Sequence, residues 1–475
     1  MPGDAEYDLV SVGGGFAGMI AAYRGAQLGL RTAVIERGSE DAYRCNSRFS
    51  GGLMHISYKD PANPAEELLS AINEITEGHA SPALAKAIVS NCKRGLEWLQ
   101  AEGARFARLD PSMQRADIGS RAWILAPVRP PVTHLEWKGR GADVTLRLLE
   151  QNLVKRGGAV HRGTSVSSLV MEQGHCRGVR VVGSDIAVRT IRASAVVLAD
   201  GGFQGNREMA LSHLTPKPEA VKQRGAGTGV GDGMRMAREA GADITALNAF
   251  YGHILCRDAM HNDRIWPYPQ LDLLAAAGLL LNREGRRIAD EGLGGVFMAN
   301  AIAREADPLG TTVVFDEVIW HDSGRAAAVA PNPTLVTAGG TLHKANTLAE
   351  LAHKLEMNAT GLEGTVAAYN AAVAAATIGS LTPVRSNKRR KAQQVIVPPF
   401  YGAPACAGMT NTMGGVRIDG NARVLDANGT PIPGLFAAGA TTGGLEGGPA
   451  VGYVGGLMKA VVFGLLAAEC AAGGR

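Results

Sequence analysis

The sequence predicts an α/β (α+β) protein built on a doubly wound parallel sheet, with a second α+β segment inserted into it. Three observations support this fold class. The chain opens with a strand, a glycine-rich turn, a helix and a second strand within residues 7–36. An unbroken apolar run at 195–199 ends in a second glycine turn, and residues 398–475 return to the same pattern. Parallel strands that are covered on both faces have such continuous apolar sequences.

The opening segment carries the strongest motif. After the strand Leu9–Val12 come Gly13, Gly15 and Gly18, in the spacing G-x-G-x-x-G. The first glycine allows a tight turn, the second lets a pyrophosphate approach the backbone, and the third lets the helix pack close to the strand. The helix N-terminus offers free N–H groups to the phosphates. Glu36 ends the second strand about 20 residues further on, where a carboxylate accepts hydrogen bonds from a ribose. This arrangement predicts a dinucleotide site.

Composition and charge narrow the functional class. A chain of 475 residues with 46% hydrophobic and 19% charged residues is typical of a globular protein of two or three domains. The formal net charge of +4 is too small to indicate a nucleic-acid surface, so no nucleic-acid partner is expected. The six cysteines show no C-x-x-C spacing. They predict neither a metal site nor a redox dithiol, and they fit a cytoplasmic protein.

The ends and the apolar segments give a prediction about membranes. The acidic start of the chain reaches the first strand too soon for a signal peptide. The apolar stretches contain glycines or charges, and we expect them to stay short of a membrane span. The sequence therefore predicts no direct membrane insertion.

The order of these patterns predicts a discontinuous first domain. It would comprise residues 1–239 and 386–475, with residues 240–385 inserted as a second, α+β domain. Helical periodicity is expected at 63–102 (two helices), 144–155, 347–354, 363–376 and from 450 to about 470, and strands at 166–170, 179–182 and 195–199.

Several segments, taken in chain order, resemble one family. They are V-G-G-G-F-A-G followed by E-R-G, the loop 46–52, V-V-L-A-D-G-G-F-Q-G-N at 196–206, the glycine cluster 227–233, L-N-R-E-G-R-R at 281–287, N-T-M-G-G-V at 411–416 and G-L-F-A-A-G at 434–439. They resemble the FAD-dependent oxidoreductases of the fumarate reductase/succinate dehydrogenase flavoprotein type. That type includes tricarballylate dehydrogenase-like and 3-ketosteroid Δ1-dehydrogenase-like branches. The resemblance implies a Rossmann-like FAD-binding domain with an inserted capping domain.

The resemblance also implies which residues contact FAD. The loop 46–52 would line the isoalloxazine, Asp232 would lie near the flavin, and the last helix, opening near Pro449, would point its positive end at the flavin N1/C2=O edge. The expected cofactor-binding residues are Gly13, Gly15, Phe16, Ala17, Gly18, Glu36, Arg37, Cys45, Asn46, Ser47, Ser50, Gly51, Gly52, Val166, Ala199, Asp200, Gly201, Asp232, Gly439, Ala440, Pro449, Ala450 and Val451.

Two positions depart from the family pattern for FAD. Ala440 stands where many members carry a glutamate that contacts the ribityl chain. Cys45 falls near the position where some members link FAD covalently through a histidine. A cysteinyl link is one alternative, and non-covalent FAD is the expectation.

The positions at which the family binds its substrate depart further from the family pattern. Fumarate reductases use an arginine as proton donor, together with histidine and arginine groups that grip two carboxylates. His253 matches one carboxylate-binding position, but Gly295 and Asn411 replace an arginine and a histidine, and residues 443–446 offer no arginine. A dicarboxylate without its arginines would be an unpaired charge in a desolvated pocket, which disfavours fumarate or succinate as substrate.

Other polar residues could take over the acid/base role. The expected catalytic residues are Tyr453, His253, Tyr251 and Arg257, and further candidates are His261, Arg264, Tyr268 and Glu446. A phenol has a pKa of about 10, so a tyrosine base would need a cation nearby to lower its pKa, and Arg257 is one candidate. Tyr268, between two prolines, fits ordinary packing, and the apolar stretch 271–281 fits a core.

The resemblance therefore predicts a C–C bond dehydrogenase or reductase. A hydride would move between a substrate carbon and flavin N5, in the desaturation or enoyl reduction of a small carboxylate or cyclic ketone. The alternatives are a flavoprotein electron-transfer subunit that depends on a separate membrane-linked partner, a soluble fumarate-reductase-type enzyme, and a flavin-binding protein without catalysis. The sequence has no second dinucleotide motif in a strand–turn–helix setting, so the electron donor or acceptor stays open.

Overall fold

The computed structural model describes residues 5–108, 123–128, 136–183, 186–327 and 329–474. The strands are β1 (Ala5–Val12), β2 (Thr32–Ile35), β3 (Leu53–Met54), β4 (Phe106–Arg108), β5 (Trp123–Leu125), β6 (Ala159–His161), β7 (Ser165–Glu172), β8 (His175–Val182), β9 (Val188–Leu198), β10 (Lys222–Gln223), β11 (Phe250–Cys256), β12 (Leu279–Leu281), β13 (Thr312–Asp316), β14 (His343–Ala345), β15 (Phe400–Thr412), β16 (Arg423–Leu425) and β17 (Pro431–Ala437). The α-helices are α1 (Phe16–Gln27), α2 (Asn46–Phe49), α3 (Ala65–Thr76), α4 (Pro82–Ala101), α5 (Gly141–Lys155), α6 (Arg207–His213), α7 (Asp232–Glu239), α8 (Asp272–Ala277), α9 (Gly295–Arg304), α10 (Glu317–His321), α11 (Pro331–Thr337), α12 (Leu348–Lys354), α13 (Ala359–Ala374) and α14 (Gly456–Gly473).

The larger sheet confirms the predicted α/β class. Its order is β16-β17-β9-β1-β2-β6, with β7 and β8 attached as an antiparallel extension of β9. Strands β2, β1, β9 and β17 run parallel to one another. The apolar run predicted at 195–199 is the end of β9, in the middle of this sheet. The carboxyl ends of parallel strands share one edge, so the turns after β1, β9 and β17 meet there.

Helices α1 and α14 pack against each other beside this sheet, and α4 packs on α14. Helix α14 has 18 residues and a mean hydropathy of 1.5, so by length and composition alone it could span a membrane. The expectation that every apolar stretch stays too short for a span is therefore wrong for α14. More than half of the helix is buried inside the protein, which core helices of soluble proteins also show.

A second sheet is organised around the long strand β15. Strands β10, β11, β13 and β14 all pair with it, and β12 pairs with β13. This sheet takes β15 from the segment predicted to complete the first domain, and β10 from before residue 240. The predicted boundaries at 239 and 385 stay a prediction, because the larger and the second sheet share one continuous hydrophobic core.

An irregularity in the second sheet lies next to the site. In the pairing of β11 with β15, Tyr251 lies opposite Asn411 and Gly252 opposite Met409, so Thr410 is an extra residue. Such a bulge bends a strand and changes the direction of its side chains. The side chains of β11 and β15 at this bulge therefore reach the cavity at the edge of the sheet.

Candidate functional site

A cavity of about 580 Å³ lies where the ends of β1, β2 and β9 face the second sheet. Its lining contains Gly13, Gly15, Phe16, Ala17, Glu36, Arg37, Cys45, Asn46, Ser47, Ser50, Gly51, Gly52, Val166, Ala199, Asp200, Gly201, Asp232, Gly439 and Ala440, together with Tyr251 and Tyr453. Six expected site residues are not in the lining: Gly18, His253, Arg257, Pro449, Ala450 and Val451.

The glycine turn leaves no room for side chains. Gly13 has φ +100°, and a Cβ there would lie 2.6 Å from the carbonyl oxygen of Ala199. Gly18 lies beneath the turn, where a Cβ would come within 2.0 Å of the carbonyl oxygen of Gly13. Helix α1 begins at Phe16 without a side-chain cap, and its first N–H donates to Ser47 Oγ at 2.9 Å. The helix end and its dipole therefore face the cavity.

Glu36 is held by the backbone around it. Its Oε2 accepts a hydrogen bond from Gly14 N–H at 2.8 Å, and its Oε1 accepts one from Gly38 N–H at 2.7 Å. Tyr43 supports the same turn by donating its hydroxyl to the carbonyl oxygen of Gly14 at 2.7 Å. Each carboxylate oxygen has a second lone pair, so Glu36 can still accept hydrogen bonds from ribose hydroxyls.

Asp232 lines the cavity near Glu36. Its carboxylate is 3.6 Å from the guanidinium of Arg37, the residue after Glu36. The expectation that Asp232 lies near the flavin stays a prediction. Burial raises the pKa of neighbouring Asp200 to about 6, although that carboxylate accepts a hydrogen bond from Gly233 N–H at 2.7 Å.

The loop 46–52 is tied to the second sheet. Asn46 donates its side-chain amide to the carbonyl oxygen of Thr410 at 2.9 Å and accepts from Ala226 N–H at 2.8 Å. Cys45 precedes this loop in the cavity wall, and burial raises the pKa of its thiol to about 11. Cys45 is therefore a neutral thiol at neutral pH.

At the end of the cavity opposite Glu36, Tyr453 lies in an aromatic cluster. Its ring stacks on Tyr251 with 3.7 Å between centroids and an interplanar angle of 13°. His55, which also lines the cavity, meets the Tyr453 ring edge-on at 5.6 Å. The Tyr453 hydroxyl accepts a hydrogen bond from Gly456 N–H, the first residue of α14, at 2.8 Å. Burial raises the pKa of Tyr453 well above its ordinary value, and this single hydrogen bond opposes the shift.

A polar chain lies behind Tyr251. The Tyr251 hydroxyl is 3.0 Å from His253 Nε2, and His253 Nδ1 is 2.5 Å from Asp272 Oδ2. An ionised carboxylate can only accept, so Nδ1 of His253 carries the proton of this hydrogen bond, and Nε2 faces the Tyr251 hydroxyl. His253 is thus placed one residue behind the cavity wall.

The lack of a side chain at Gly295 leaves room for this chain of polar side chains. A Cβ at Gly295 would lie 2.0 Å from the Asp272 carboxyl carbon. The position that the family resemblance matches to an arginine therefore has no side chain, and Asp272 occupies that space. The carboxylate also lies at the N-terminus of α9, where the helix dipole stabilises negative charge.

Tyr453 is positioned by a buried ion pair. Glu446 Oε1 accepts from the N–H groups of Val454 and Gly455 at 3.0 and 3.1 Å, and its Oε2 is 3.2 Å from Lys459 Nζ. Lys459, in the first turn of α14, also donates to the carbonyl oxygen of Thr442 at 2.9 Å. The loop that carries Tyr453 is therefore fixed to α14 on the side away from the cavity.

The expected helix opening at residues 449–451 is wrong. Gly447 and Gly452 exchange both backbone hydrogen bonds, which closes this segment into a tight loop. The helix begins only at Gly456, and Gly456, Leu457 and Ala460 line the cavity in place of Pro449, Ala450 and Val451. Val451 packs instead in a small hydrophobic cluster with Tyr453.

The arginines proposed as substrate or catalytic groups also lie elsewhere. Arg257 donates to the carbonyl oxygen of Leu309 at 3.0 Å, and Arg264 is exposed and donates to that of Thr337 at 3.3 Å. Neither lines the cavity, so Arg257 does not lower the pKa of Tyr453. The cavity instead contains Arg224 and Tyr268, and Tyr268 is not simply packed in the core. Sequence reasoning missed Arg224, whose only signal is its place three residues before the glycine cluster 227–233.

These features fit FAD. The turn without side chains, the uncapped end of α1 and the free lone pairs of Glu36 suit a diphosphate and a ribose. Among the residues that the structure describes, no group of three histidine, cysteine or acidic side chains could hold a metal ion.

Comparison with known proteins agrees with this fit. The sequence pattern of the FAD binding domain family matches residues 8–452. The chain is similar to the fumarate reductase (cytochrome) of Shewanella frigidimarina, 27% identical over 98% of this chain and 77% of that protein. It is also similar to the vinyl phenol reductase of Lactiplantibacillus plantarum, 27% identical over 94% of both chains. The structure of a 3-ketosteroid-Δ4-(5α)-dehydrogenase from Rhodococcus jostii RHA1 aligns with a TM-score of 0.74, 21% identity and coverage of 99% and 98%. The chain thus belongs to the FAD binding domain family, and FAD is its cofactor.

Proposed function

We propose that this member of the FAD binding domain family is an oxidoreductase that adds hydrogen across an electron-poor C=C bond of a small molecule. The observation behind this proposal is the Tyr453 hydroxyl. It faces the cavity, accepts one hydrogen bond from Gly456 N–H, and donates to no protein group among the described residues. Its proton is therefore available to a substrate carbon, and Tyr453 is the proposed proton donor.

The direction of reaction follows from the electrostatics of this tyrosine. Burial raises the pKa of Tyr453, and the nearby Tyr251 and Glu446 raise it further. The cation once expected to lower it, Arg257, is not in the cavity. A phenol in this environment holds its proton near neutral pH, which suits a general acid and not a general base. This protonated form is the one that a reduction needs at the start of the proton-transfer step.

The residues of the protein itself hold the cofactor and exclude water from the substrate. Bound FAD supplies hydride transfer at a carbon centre. Gly13, Gly15 and Glu36 hold its dinucleotide part, the loop 46–52 lines the middle of the cavity, and the aromatic cluster around Tyr453 keeps water from the substrate end. Two relatives are named as reductases, a fumarate reductase and a vinyl phenol reductase, and both reactions add hydrogen to a C=C bond.

We also propose that FAD is bound without a covalent link. The thiolate is the reactive form of cysteine, and the pKa of about 11 leaves little of it at Cys45. Acid precipitation of the purified protein should release all of the flavin into the supernatant. Flavin that stays with the precipitate, and is lost from a Cys45→Ser variant, would contradict this.

The proposed reaction can be tested by reoxidation of the flavin. The FAD-loaded protein is photoreduced without oxygen and mixed with a panel of enones, unsaturated carboxylates and vinyl phenols, and flavin absorbance is followed. We expect at least one alkene to reoxidise the flavin, and Tyr453→Phe to slow that step by about 100-fold or more. Tyr401→Phe, which removes a hydroxyl from the second sheet, is the matched control. A Tyr453→Phe variant of near-normal rate would remove Tyr453 from the mechanism, and failure of every alkene would count against a reductase.

The electron donor is proposed to be a separate protein, or a small molecule other than NADH and NADPH. The chain shows one dinucleotide motif, and relatives of the family include subunits of larger complexes such as quinol-fumarate reductase. Turnover with a reduced dye but not with NADH or NADPH would support this proposal, and direct turnover with either nucleotide would contradict it. A cytoplasmic location is likewise proposed, because all six cysteines are free. Recovery of the protein in a membrane or secreted fraction would contradict that location.

A further inference from the structure

Among the residues that the structure describes, the buried cation Arg224 has no counter-charge. It is 5% exposed and lines the cavity. Its Nη1 donates to Thr410 Oγ1 at 2.8 Å, while its Nε is buried without a hydrogen-bond partner. Within the described part of the chain, no carboxylate lies within 4 Å of its guanidinium.

Three other buried arginines, Arg48, Arg287 and Arg385, are paired with carboxylates. Arg48 forms an ion pair with Asp143, and both Arg287 and Arg385 approach Glu291. Burying a charge is costly unless an opposite charge and hydrogen bonds compensate for it. The protein meets this requirement in its core but not at Arg224, so the missing partner must enter from the cavity.

Arg224 lies at the substrate end of the cavity. It directly follows β10, and its N–H donates to the carbonyl oxygen of Met409 in β15 at 2.7 Å. On the other side of β15, Tyr251 lies opposite Asn411. Arg224 and Tyr251 therefore flank the same short stretch of β15, whereas the glycine turn and Glu36 belong to the other sheet.

We propose that Arg224 binds a carboxylate of the substrate, so that the enzyme reduces an unsaturated monocarboxylic acid. This inference rests on the proposed reductase function and names its substrate class. The edge of the guanidinium formed by Nε–H and Nη2–H has no partner among the described residues, and that edge matches a carboxylate through two parallel hydrogen bonds. A single arginine suits one carboxylate.

The proposal can be tested by equilibrium binding to the oxidised, FAD-loaded protein. Without an electron donor no alkene is reduced, so perturbation of the flavin spectrum reports the Kd alone. The probes are acrylate and cinnamate, each matched with its neutral amide. We expect Arg224→Gln to raise the Kd of a carboxylate by about 30-fold or more and to leave the Kd of the amide within about two-fold.

Two further variants separate a binding role from a structural one. Arg224→Lys keeps the charge but not the bidentate edge, and we expect a Kd between those of the wild type and Arg224→Gln. Arg264→Gln removes the same charge from the surface and should change no Kd. An equal effect on acid and amide, loss of FAD from Arg224→Gln, or no carboxylate binding to the wild type would overturn the proposal.

Failure of this inference and failure of the proposed function would look different. If carboxylates bind through Arg224 but no alkene reoxidises the flavin, the anion site stands and the reductase function falls. If neutral enones or amides reoxidise the flavin and Arg224→Gln changes nothing, the reductase function stands and the carboxylate site falls.

Discussion

The two ends of the cavity are built in different ways. The end at Glu36 comes largely from one continuous stretch, in which β1, the glycine turn, α1 and β2 follow one another within residues 5–36. The end at Tyr453 is assembled from distant segments: Arg224, Tyr251, Asn411 and Tyr453 are brought together mainly by strand β15 and the start of α14. A cofactor grip of this kind is local, whereas a substrate pocket depends on tertiary structure.

The two ends are also stabilised differently. Around Glu36, side chains bond to backbone groups that lie two to about 30 residues away. Behind Tyr453, a fully buried ion pair between Glu446 and Lys459 holds the loop. We therefore expect the removal of one charge to damage the substrate end far more than the removal of one hydrogen bond damages the cofactor end.

The largest effect is expected from Lys459→Met. Lys459 is 1% exposed, and its loss leaves the Glu446 carboxylate buried without a cation. Breaking such a pair lowers the free energy of unfolding by about 3–5 kcal/mol. Denaturant unfolding of the FAD-loaded protein measures it. Lys93→Met is the matched control, because Lys93 and Glu97 form an exposed pair worth at most about 1 kcal/mol. Equal losses in the two variants would show that the buried pair has no special weight.

The next effect tests the cofactor end. Glu36→Ala removes the acceptor of the Gly14 and Gly38 N–H groups and the proposed partner of the ribose. Hydrogen bonds to a charged group are worth about 1.5–3 kcal/mol, so the Kd of the apoprotein for FAD should rise by about 10- to 100-fold. Quenching of flavin fluorescence measures this Kd. Asp41→Ala, an almost fully exposed carboxylate nearby, should leave it unchanged. A similar rise in Asp41→Ala would indicate general electrostatics and not a specific grip.

The success of prediction from the sequence also differs between the two ends of the cavity. The strand at 32–35, the glycine turn and Glu36 were placed correctly because their geometry is local. The predicted helix at 450–470 was displaced by six residues at its start, since the Gly447–Gly452 hydrogen bonds that delay it leave no mark in residue periodicity.

The substrate end was predicted only in part. Tyr453 and Tyr251 are acid/base candidates of the sequence analysis, and both line the cavity. Arg257 was expected and Arg224 was not, because strand pairing and not chain position decides which arginine reaches the cavity. The sequence shows that Gly295 stands where an arginine was expected. Only the structure shows that the Asp272 carboxylate fills the space above Gly295.

A smaller effect tests the chain behind the cavity wall. Tyr251→Phe keeps the ring that stacks on Tyr453 but removes the hydroxyl that contacts His253. Because Tyr251 positions Tyr453 and does not itself deliver the proton in our proposal, flavin reoxidation should slow by about three- to ten-fold. His253→Gln should have a similar effect, and the double variant should be no worse than either single one. A loss of 100-fold or more in Tyr251→Phe would make Tyr251 the proton donor instead.

The smallest expected effect is a pH dependence of FAD binding at the cofactor end, with no matching change in the protonation of Tyr453 at the substrate end. Asp200 lines the cavity with a pKa of about 6, raised by burial, so it is ionised at pH 8 and mostly neutral at pH 5. Ionised Asp200 repels the FAD diphosphate, so FAD should bind about three-fold more tightly as the pH falls from 8 to 5. Asp200→Asn keeps the side-chain shape and should abolish this dependence. Tyr453 stays protonated across this range, because its pKa lies well above 10, so the alkene-dependent reoxidation of bound flavin should not change through Tyr453. An FAD affinity that depends on pH equally in Asp200→Asn would show that another group titrates at the cofactor end.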